Sequence, residues 1–461
     1  MKMSLKDRIE NLHPQMLQSL EELVRIESVR GAAEEGAPYG IENARCLKRA
    51  LEIAEELGYR TYNMDGYVGW AEYGEGDEMI GVAAHLDVVA GGDGWTVCEP
   101  FEPVIKDGKM FGRGTMDNKG PAVIALYALK TLVEEGFSPK RRIRILLGCD
   151  EENGSCCMKY YCANGGEIPV AGFTPDASFP LIQGEKGHMK LTVAKTFTQS
   201  EGWKLLNIQG GAASNVVPQH AKAELEVSAD AKDYLKEEKD ILVQLEGTHL
   251  VVEAAGVSAH ASRPEHGENA IGRLCLYLQK LPLSKEAKEA ISYLADKLGM
   301  DSTGAGFGIN FSDEPSGPVT LNLGMISSVA KDGEVKVQAV LDSRCPVTYG
   351  YEDLVPLVKD VFVSAGWDVE EESWSDSIYQ PDDSEIVQKL LGVYRKVTGD
   401  MTPGYCIGGG TYAKDLPNIL AFGAEKQGAD HCIHGADEYI ILEQMKESAL
   451  IYAEAMKALA E

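Results

Sequence analysis

The stretch Arg142–Ser155 reads RIRILLGCDEENGS and passes from an apolar run directly into three consecutive carboxylates, Asp150, Glu151 and Glu152. A short apolar run bounded by polar residues predicts a buried strand. In open α/β sheets, ligands bind beyond the carboxyl ends of the strands, which is where these acids lie. Adjacent negative charges repel, and burying them is costly unless a cation compensates. The stretch therefore predicts either a cation site or a solvated turn before a helix.

The 461-residue chain is strongly acidic, with 72 Asp and Glu against 44 Lys and Arg and a formal net charge of −28. This charge argues against binding to nucleic acid or to anionic membrane surfaces. The first residues lack the apolar core of a signal peptide, and no stretch reaches the roughly 18 uninterrupted apolar residues of a membrane span. Ten scattered cysteines without a C-x-x-C motif favour free thiols in a reducing compartment. We therefore expect a cytoplasmic protein.

The spacing of apolar residues predicts an α/β fold, because helical patterns alternate with short apolar runs. Helices are expected at 5–27, 42–57, 120–135, 384–397 and 441–459. Strand-like runs such as 79–85 and 142–148 lie between them. We therefore predict a discontinuous domain, residues 1–186 and 381–461, with a central mixed sheet flanked by helices.

The middle of the chain has a different texture. From about residue 187 the segments alternate with period two, which is typical of antiparallel strands. A strand pair is expected around the turn Lys331-Asp332-Gly333, and helices are expected at 267–280 and 284–298. We predict that residues 187–380 form an inserted α+β domain.

Two polar segments follow predicted strands or precede predicted helices. AHLDVV carries His85 and Asp87, which point the same way from a strand end, so that Asp87 can orient the imidazole. The alternative is a purely structural His–Asp pair. FGRGTMDNKG carries Asp117 just before a helix, where an ordinary N-cap is the alternative to a functional role.

Two further segments complete a possible metal site. FTPDASFP carries Asp176, and DHCIHGADE carries His431 and His434 before the last predicted helix. Hydrolytic zinc pairs use imidazole and carboxylate ligands around a bridging oxygen. Five ligands of these types are available at His85, Asp117, Glu152, Asp176 and His434.

Taken together and in this order, AHLDVV, GRGTMDNKG, CDEENGS, FTPDASFP and DHCIHGADE resemble the co-catalytic metallopeptidase family of aminoacylase, carnosinase and succinyl-diaminopimelate desuccinylase. The resemblance extends from about residue 10 to the end of the chain. DGWTVCEPFEPVIKDGKMFGRGTMDNKGP and GGGTYAK are most similar to the bacterial PepV-like dipeptidase branch.

The resemblance implies a catalytic domain with an inserted lid domain and hydrolysis of dipeptides with free termini. A deacylase of N-acyl amino acids, of the succinyl-diaminopimelate or acetylornithine type, is an alternative with the same chemistry. A catalytically silent binding protein on this fold is a third reading. A free ammonium group held near Asp176 would favour the dipeptidase, and a basic or apolar acyl pocket would favour the deacylase.

The resemblance also implies two divalent cations. His85, Asp117 and Asp176 would hold one cation. Asp117, Glu152 and His434 would hold the other, so that Asp117 bridges the pair. Zinc suits these ligands, and manganese and cobalt are alternatives.

Catalytic roles follow from the same resemblance. Glu151 would be the general base that deprotonates water, and Asp87 would orient His85. Asp150 has no implied role, and we expect it to face away or to cap the next helix. His260, in GVSAHASRPEHGENA, would donate to the oxyanion of the transition state, with a surface turn histidine as the alternative.

Substrate contacts are implied at Asn215, Arg344, Gly409 and Thr411. The Arg344 fork suits the terminal carboxylate of a peptide, although a salt bridge at a strand end is the alternative. Gly409 and Thr411 lie in a glycine-rich segment that would approach the substrate backbone. The alternative is that this segment is an ordinary turn without a role in binding. Because the inserted block is long enough to supply His260 and Asn215 within one chain, we expect a monomer, and a dimer is the alternative.

Overall fold

A computed structural model describes residues 3–331 and 333–461. Its α-helices are α1 (Leu5–Val24), α2 (Ile41–Glu56), α3 (Lys119–Glu135), α4 (Cys156–Ala163), α5 (Ala270–Leu278), α6 (Lys285–Lys297), α7 (Tyr351–Ser364), α8 (Glu385–Thr398) and α9 (Leu442–Ala460). Its strands are β1 (Arg60–Met64), β2 (Val68–Tyr73), β3 (Met79–His85), β4 (Val104–Lys106), β5 (Lys109–Phe111), β6 (Arg142–Gly148), β7 (Ala171–Thr174), β8 (Ala177–Ser178), β9 (Ile182–Glu185), β10 (Gly187–Thr198), β11 (Lys204–Gly210), β12 (His220–Glu226), β13 (Ile241–Glu246), β14 (His249–Ala255), β15 (Ser312–Asp313), β16 (Gly317–Pro318), β17 (Thr320–Lys331), β18 (Glu334–Cys345), β19 (Asp368–Ser375), β20 (Ile378–Tyr379), β21 (Tyr405–Ile407), β22 (Ile419–Ala421), β23 (Ala424–Glu425) and β24 (Tyr439–Ile441).

The described residues divide into two compact units. The first comprises the chain up to Gln183 together with Gln380–Tyr405 and Gly410–Glu461, and the second comprises Gly184–Tyr379 and Cys406–Gly409. Our sequence-based boundaries lay at 186/187 and 380/381, and they assigned the segment 406–409 to the first domain. Residues 406–409 group with the second unit because their backbone carbonyls accept hydrogen bonds from residues of that unit. The Lys186 N–H donates to the Ile407 carbonyl and Arg344 Nη1 donates to the Gly408 carbonyl.

The first unit is built on a mixed sheet whose main path is β1-β2-β6-β3-β7-β22. Strands β3 and β6 are parallel neighbours in a register that places His85 opposite Gly148, and β7 pairs in parallel with the other edge of β3. Strand β22 is in turn parallel to β7. The carboxyl ends of these strands therefore meet at one edge of the sheet, and the polar segments that follow them are brought together there.

Helices cover this sheet because its strands are apolar on both faces. Every residue of β3 is buried, which explains the near-continuous apolar run MIGVAAH. Helices α3 and α9 pack on β3 and on each other, and α2 packs on β1 and β2. The predicted fold class, a mixed sheet flanked by helices, is confirmed.

The second unit contains an eight-stranded sheet in the order β13-β14-β12-β11-β17-β18-β10-β19, and all of its pairings are antiparallel. Helices α5, α6 and α7 contribute buried apolar residues to one core with this sheet. Strands β17 and β18 form the expected pair, and Asp332 of the predicted turn lies outside the described residues.

Two helices were not predicted from the sequence. Helix α4 has only eight residues, and α7 contains Pro356, which hides its helical pattern. Helix α5 begins at Ala270, three residues later than expected, because the Asn269 side chain caps it by accepting the Gly272 N–H at 3.0 Å. Across the described residues, we find no helix with both the length and the apolar character needed to cross a membrane.

Candidate metal centre

His85 is the last residue of β3, and its side chain is only 1% exposed. Its Nδ1 lies 2.9 Å from the backbone carbonyl oxygen of Asp87. Because a carbonyl can only accept, Nδ1 carries the proton, and Nε2 is the nitrogen that is left to bind a cation. Nε2 lies 3.0 Å from Asp117 Oδ1 and 3.7 Å from Asp176 Oδ1. The imidazole is therefore oriented in the manner typical of a metal ligand.

Asp87 contacts the His85 ring and also makes bonds that the sequence does not predict. Its nearer carboxylate oxygen lies 3.5 Å from His85 Nδ1, and its backbone carbonyl makes the shorter contact with the same nitrogen. The buried carboxylate also accepts the Glu151 N–H at 3.0 Å and the Glu152 N–H at 3.1 Å. Asp87 thus ties the segment after β3 to the segment after β6.

Asp117 lies between two imidazoles. Its Oδ1 is 3.0 Å from His85 Nε2, and its Oδ2 is 3.0 Å from His434 Nε2. The N-cap of α3 is Asn118 and not Asp117, so the capping alternative for Asp117 does not describe this structure. Asn118 supports the cluster by donating from Nδ2 to Asp176 Oδ1 at 3.1 Å.

The remaining acids line the same cavity of about 180 Å³. Glu152 Oε1 lies 3.0 Å from His434 Nε2. Glu151 and Asp176 also border the cavity. Asp150 does not, since its carboxylate accepts the Cys156 N–H at the start of α4 and pairs with Arg30 at 2.8 Å. His431 is likewise outside the cluster, because it is buried with Nδ1 3.1 Å from the Tyr439 carbonyl.

The cluster carries more negative charge than its imidazoles balance. Burial raises the pKa of Glu151 well above its usual value, and the Asp176 charge raises it further. Burial also raises the pKa of Asp176 and of Glu152. The pKa of His434 rises to about 10 because it bonds to Asp117 and Glu152. Each shift shows that the cluster favours added positive charge.

Divalent cations fit this demand. Ligand atoms of His85, Glu151 and Asp176 lie within 4.8 Å of one another, as do those of His85, Asp117 and Glu152. The second trio predicted from sequence is also close, since His434 Nε2 lies 3.0 Å from oxygens of both Asp117 and Glu152. Imidazole nitrogen and carboxylate oxygen are donors that suit zinc, manganese and cobalt.

A family model described as "Peptidase family M20/M25/M40" matches residues 81–458 of this chain. The chain belongs to this family. Among M20 relatives, "Putative dipeptidase YtjP" of Bacillus subtilis is 34% identical over 461 residues, which cover 97% of each chain. A "Putative dipeptidase" of Staphylococcus epidermidis is 33% identical over 468 residues, covering 98% of this chain and 99% of that protein.

Solved structures share the M20 fold at lower identity. Human carnosine dipeptidase 1 aligns with a TM-score of 0.57 and 15% identity, covering 99% of this chain and 98% of that one. A tripeptidase from Staphylococcus aureus aligns with a TM-score of 0.60 and 16% identity, covering 97% and 98%. The motifs that we compared with co-catalytic metallopeptidases therefore belong to the M20 family, as the sequence indicated.

In the second unit of this M20 chain, His260 borders a separate cavity of about 500 Å³ together with Gly408 and Gly409. The Ser262 N–H lies 3.2 Å from His260 Nδ1. Nδ1 therefore accepts, and the proton of the neutral ring is on Nε2. Partial burial and the positive charge of Arg344 lower the pKa of His260. These surroundings favour the neutral imidazole, whose Nε2 has no hydrogen-bond partner among the described residues.

The other predicted substrate contacts have varied surroundings. Arg344 is buried, and its Nε donates to Asp342 Oδ1 at 2.8 Å while its Nη2 lies 3.1 Å from Oδ2, so the salt-bridge alternative describes part of its role. A third N–H, on Nη1, donates to the Gly408 carbonyl, so two of the five N–H groups have no acceptor among the described residues. Asn215 is exposed, and its backbone carbonyl accepts the Ala261 N–H at 2.8 Å. The Thr411 hydroxyl accepts the Ala413 N–H.

Glu425 is a cavity residue that sequence reasoning missed. It lies just beyond the carboxyl end of β22 and borders the cavity of Asp117 and Asp176. Burial and the charges of these two acids raise the pKa of Glu425 to about 7. Its carboxylate has no hydrogen bond or ion pair in the part of the chain that the structure describes. The rule that ligands bind beyond strand ends would have found it, had the run NILAFG been extended to the acid that follows.

Proposed function

We propose that this chain is a metal-dependent dipeptidase that hydrolyses the peptide bond of dipeptides with free amino and carboxyl termini. The observation that carries the proposal is the convergence of two imidazoles with the carboxylates of Asp117, Glu152 and Asp176 at an acidic cavity, which all of these residues except the buried His85 line. Family membership supports the hydrolytic chemistry, and the names of the relatives support short peptides as substrates.

Two cations held by His85, Asp117, Asp176, Glu152 and His434 would polarise the scissile carbonyl and lower the pKa of the attacking water. Glu151 is the residue that we assign to proton transfer. It takes a proton from water as the oxygen attacks the carbonyl carbon, and it gives that proton to the nitrogen of the leaving amine as the C–N bond breaks. Asp87 keeps the Glu151 backbone in place through the Glu151 N–H.

The cavity contains carboxylates besides the general base Glu151, and these favour a substrate with a free ammonium group. Glu425 and Asp176 border the cavity, and ionised carboxylates attract an ammonium group and repel an acyl carboxylate. A succinyl group carries a carboxylate, which would find no basic side chain other than His434 among the described residues lining this cavity. This lining is the reason for preferring the dipeptidase over a deacylase of the succinyl type.

We propose further roles for the second unit, residues 187–380 in our division, which would act as a lid. His260 would donate from Nε2 to the carbonyl oxygen as negative charge develops on it. Arg344 would bind the terminal carboxylate, and Asn215, Gly409 and Thr411 would contact the substrate. We also propose zinc as the native metal, a cytoplasmic location and a monomeric state, which metal analysis, cell fractionation and light scattering would test.

The decisive experiment compares dipeptides with the matching N-acetyl amino acids, each assayed with zinc, manganese or cobalt. We expect turnover of the dipeptides only. In Glu151→Gln we expect turnover to fall by roughly 10²–10⁴-fold with the metal content retained, because only the proton acceptor is lost. The exposed Glu35→Gln is the matched control and should behave as wild type. Faster cleavage of N-acetyl amino acids would replace the dipeptidase assignment, and an unchanged rate in Glu151→Gln would remove the base assignment.

A further inference from the structure

A buried ion pair joins two loops that are far apart in the sequence. Arg113 Nη1 lies 2.6 Å from Glu438 Oε2, and the two residues are separated by 325 positions. The Arg113 side chain is 1% exposed and that of Glu438 is 0% exposed. Neither residue borders the metal cavity. The pair is therefore outside the set of residues that touch substrate or metal in the proposed mechanism.

The Glu438 carboxylate organises the loop that carries Asp117. Its Oε1 accepts the Met116 N–H at 2.9 Å and the Asp117 N–H at 3.1 Å, and the Gly114 N–H lies 3.1 Å from both of its oxygens. Backbone N–H groups aimed at one ionised acceptor make strong hydrogen bonds. The backbone of Asp117 is thus held directly by Glu438, although its side chain faces His85 and His434.

Arg113 extends the same network to the loops beside the two imidazoles. Its Nη2 donates to the Gly435 carbonyl at 3.0 Å, next to His434, and lies 3.3 Å from the Gly91 carbonyl in the segment that follows β3. One guanidinium and one carboxylate therefore connect the segments after β3, before α3 and before β24. Asp117 and His434 project from the second and third of these segments, and His85 is the last residue of β3, just before the first.

We propose that Glu438, paired with Arg113, is a positioning residue of the metal centre, which holds the Asp117 loop so that both carboxylate oxygens face the two imidazoles. This inference rests on the proposed metal-dependent function and adds a residue to it. A merely structural ion pair would contribute stability alone. A positioning residue also affects metal affinity. Loss of a residue that holds a metal ligand in place typically weakens metal binding by about 10–100-fold.

The test compares Glu438→Gln with Glu72→Gln. Glu72 also forms an ion pair of low exposure in the first unit, with Arg144 at 2.6 Å, but it lies on β2 away from the cavity. Zinc affinity of the full-length apo-protein is measured by competition with a chromogenic chelator, and thermal unfolding is measured without metal. We expect both variants to lose stability, Glu438→Gln to bind zinc about 10–100-fold more weakly, and Glu72→Gln to stay within about twofold of wild type.

Equal zinc affinity in wild type and Glu438→Gln would overturn the proposal, as would equal losses in the two variants. If Glu438→Gln does not fold, Arg113→Lys keeps the charge but loses the second arm of the guanidinium, and the same affinity criterion applies. Because zinc binding is measured without any peptide, the result is independent of whether the enzyme cleaves dipeptides. Zinc binding that is intact in wild type but weak in Glu438→Gln would support the inference even if the substrate assignment failed.

Discussion

Asp342→Asn is expected to destabilise the second unit, since this one carboxylate compensates the buried Arg344 guanidinium and also contacts the His188 ring. Asp342 lies on β18 and is 0% exposed, and Arg344 beside it is 7% exposed. It receives Arg344 Nε at 2.8 Å, Arg344 Nη2 at 3.1 Å and His188 Nε2 at 2.8 Å. Burial by itself would raise the pKa of Asp342, but its contacts with His188 and Arg344 outweigh burial and lower the pKa.

The magnitude follows from these contacts. Removing one partner of a buried ion pair costs roughly 3–5 kcal/mol because the other charge is left uncompensated. Asparagine keeps the side-chain volume and one acceptor oxygen, but its amide group cannot accept the second guanidinium N–H. We therefore expect a loss near the lower end, about 3 kcal/mol, which corresponds to roughly a hundredfold change in the opening equilibrium.

The assay is hydrogen exchange of peptides from β17 and β18, followed by mass spectrometry at increasing urea, which reports the free energy of opening of this sheet. Asp368→Asn, at an exposed position on β19, is the matched control and should change that free energy by less than about 0.5 kcal/mol. A loss below about 1 kcal/mol in Asp342→Asn would refute the reasoning. It would show that the desolvation of the pair cancels its attraction.

Two further predictions concern catalysis directly. His260→Ala should lower kcat by about 10²–10³-fold and leave KM almost unchanged, because the donor acts on the transition state. The control is His266→Ala, at a nearby exposed position. An effect on KM alone would contradict the assignment of His260. Removal of metal by dialysis against a chelator should abolish dipeptide cleavage and lower Tm, because a bound metal stabilises the folded state. Added zinc should restore both cleavage and Tm. Undiminished cleavage by the metal-free protein would contradict the mechanism.

Much of the candidate metal centre could be predicted because its residues follow local patterns. His85 is the last residue of β3, Glu151 and Glu152 follow shortly after β6, and parallel strands bring their carboxyl ends to one edge of a sheet. Asp176 follows β7 in the same way. In each case a short run of sequence determines both the strand and the position of the candidate ligand at or beyond its end.

The supporting residues could not be found by such reasoning. Arg113 and Glu438 are ordinary charged residues in their own segments, and their pairing depends on how distant loops meet. The additional contacts of the Asp87 carboxylate could not be found for a similar reason. Its spacing from His85 suits an imidazole contact, but the N–H groups of Glu151 and Glu152 meet its oxygens only in the folded chain.

The sequence by itself determined the mixed α/β sheet, the antiparallel middle block, and the side chains that can bind a metal, because periodicity and short motifs act over a few residues. The tertiary structure decided which donor meets which acceptor. It assigned the proton of His85 to Nδ1, grouped Cys406–Gly409 with the second unit, and placed Glu438 against the Asp117 backbone. Hydrogen bonds are short and directional, so their partners are selected only once segments hundreds of residues apart have been packed together.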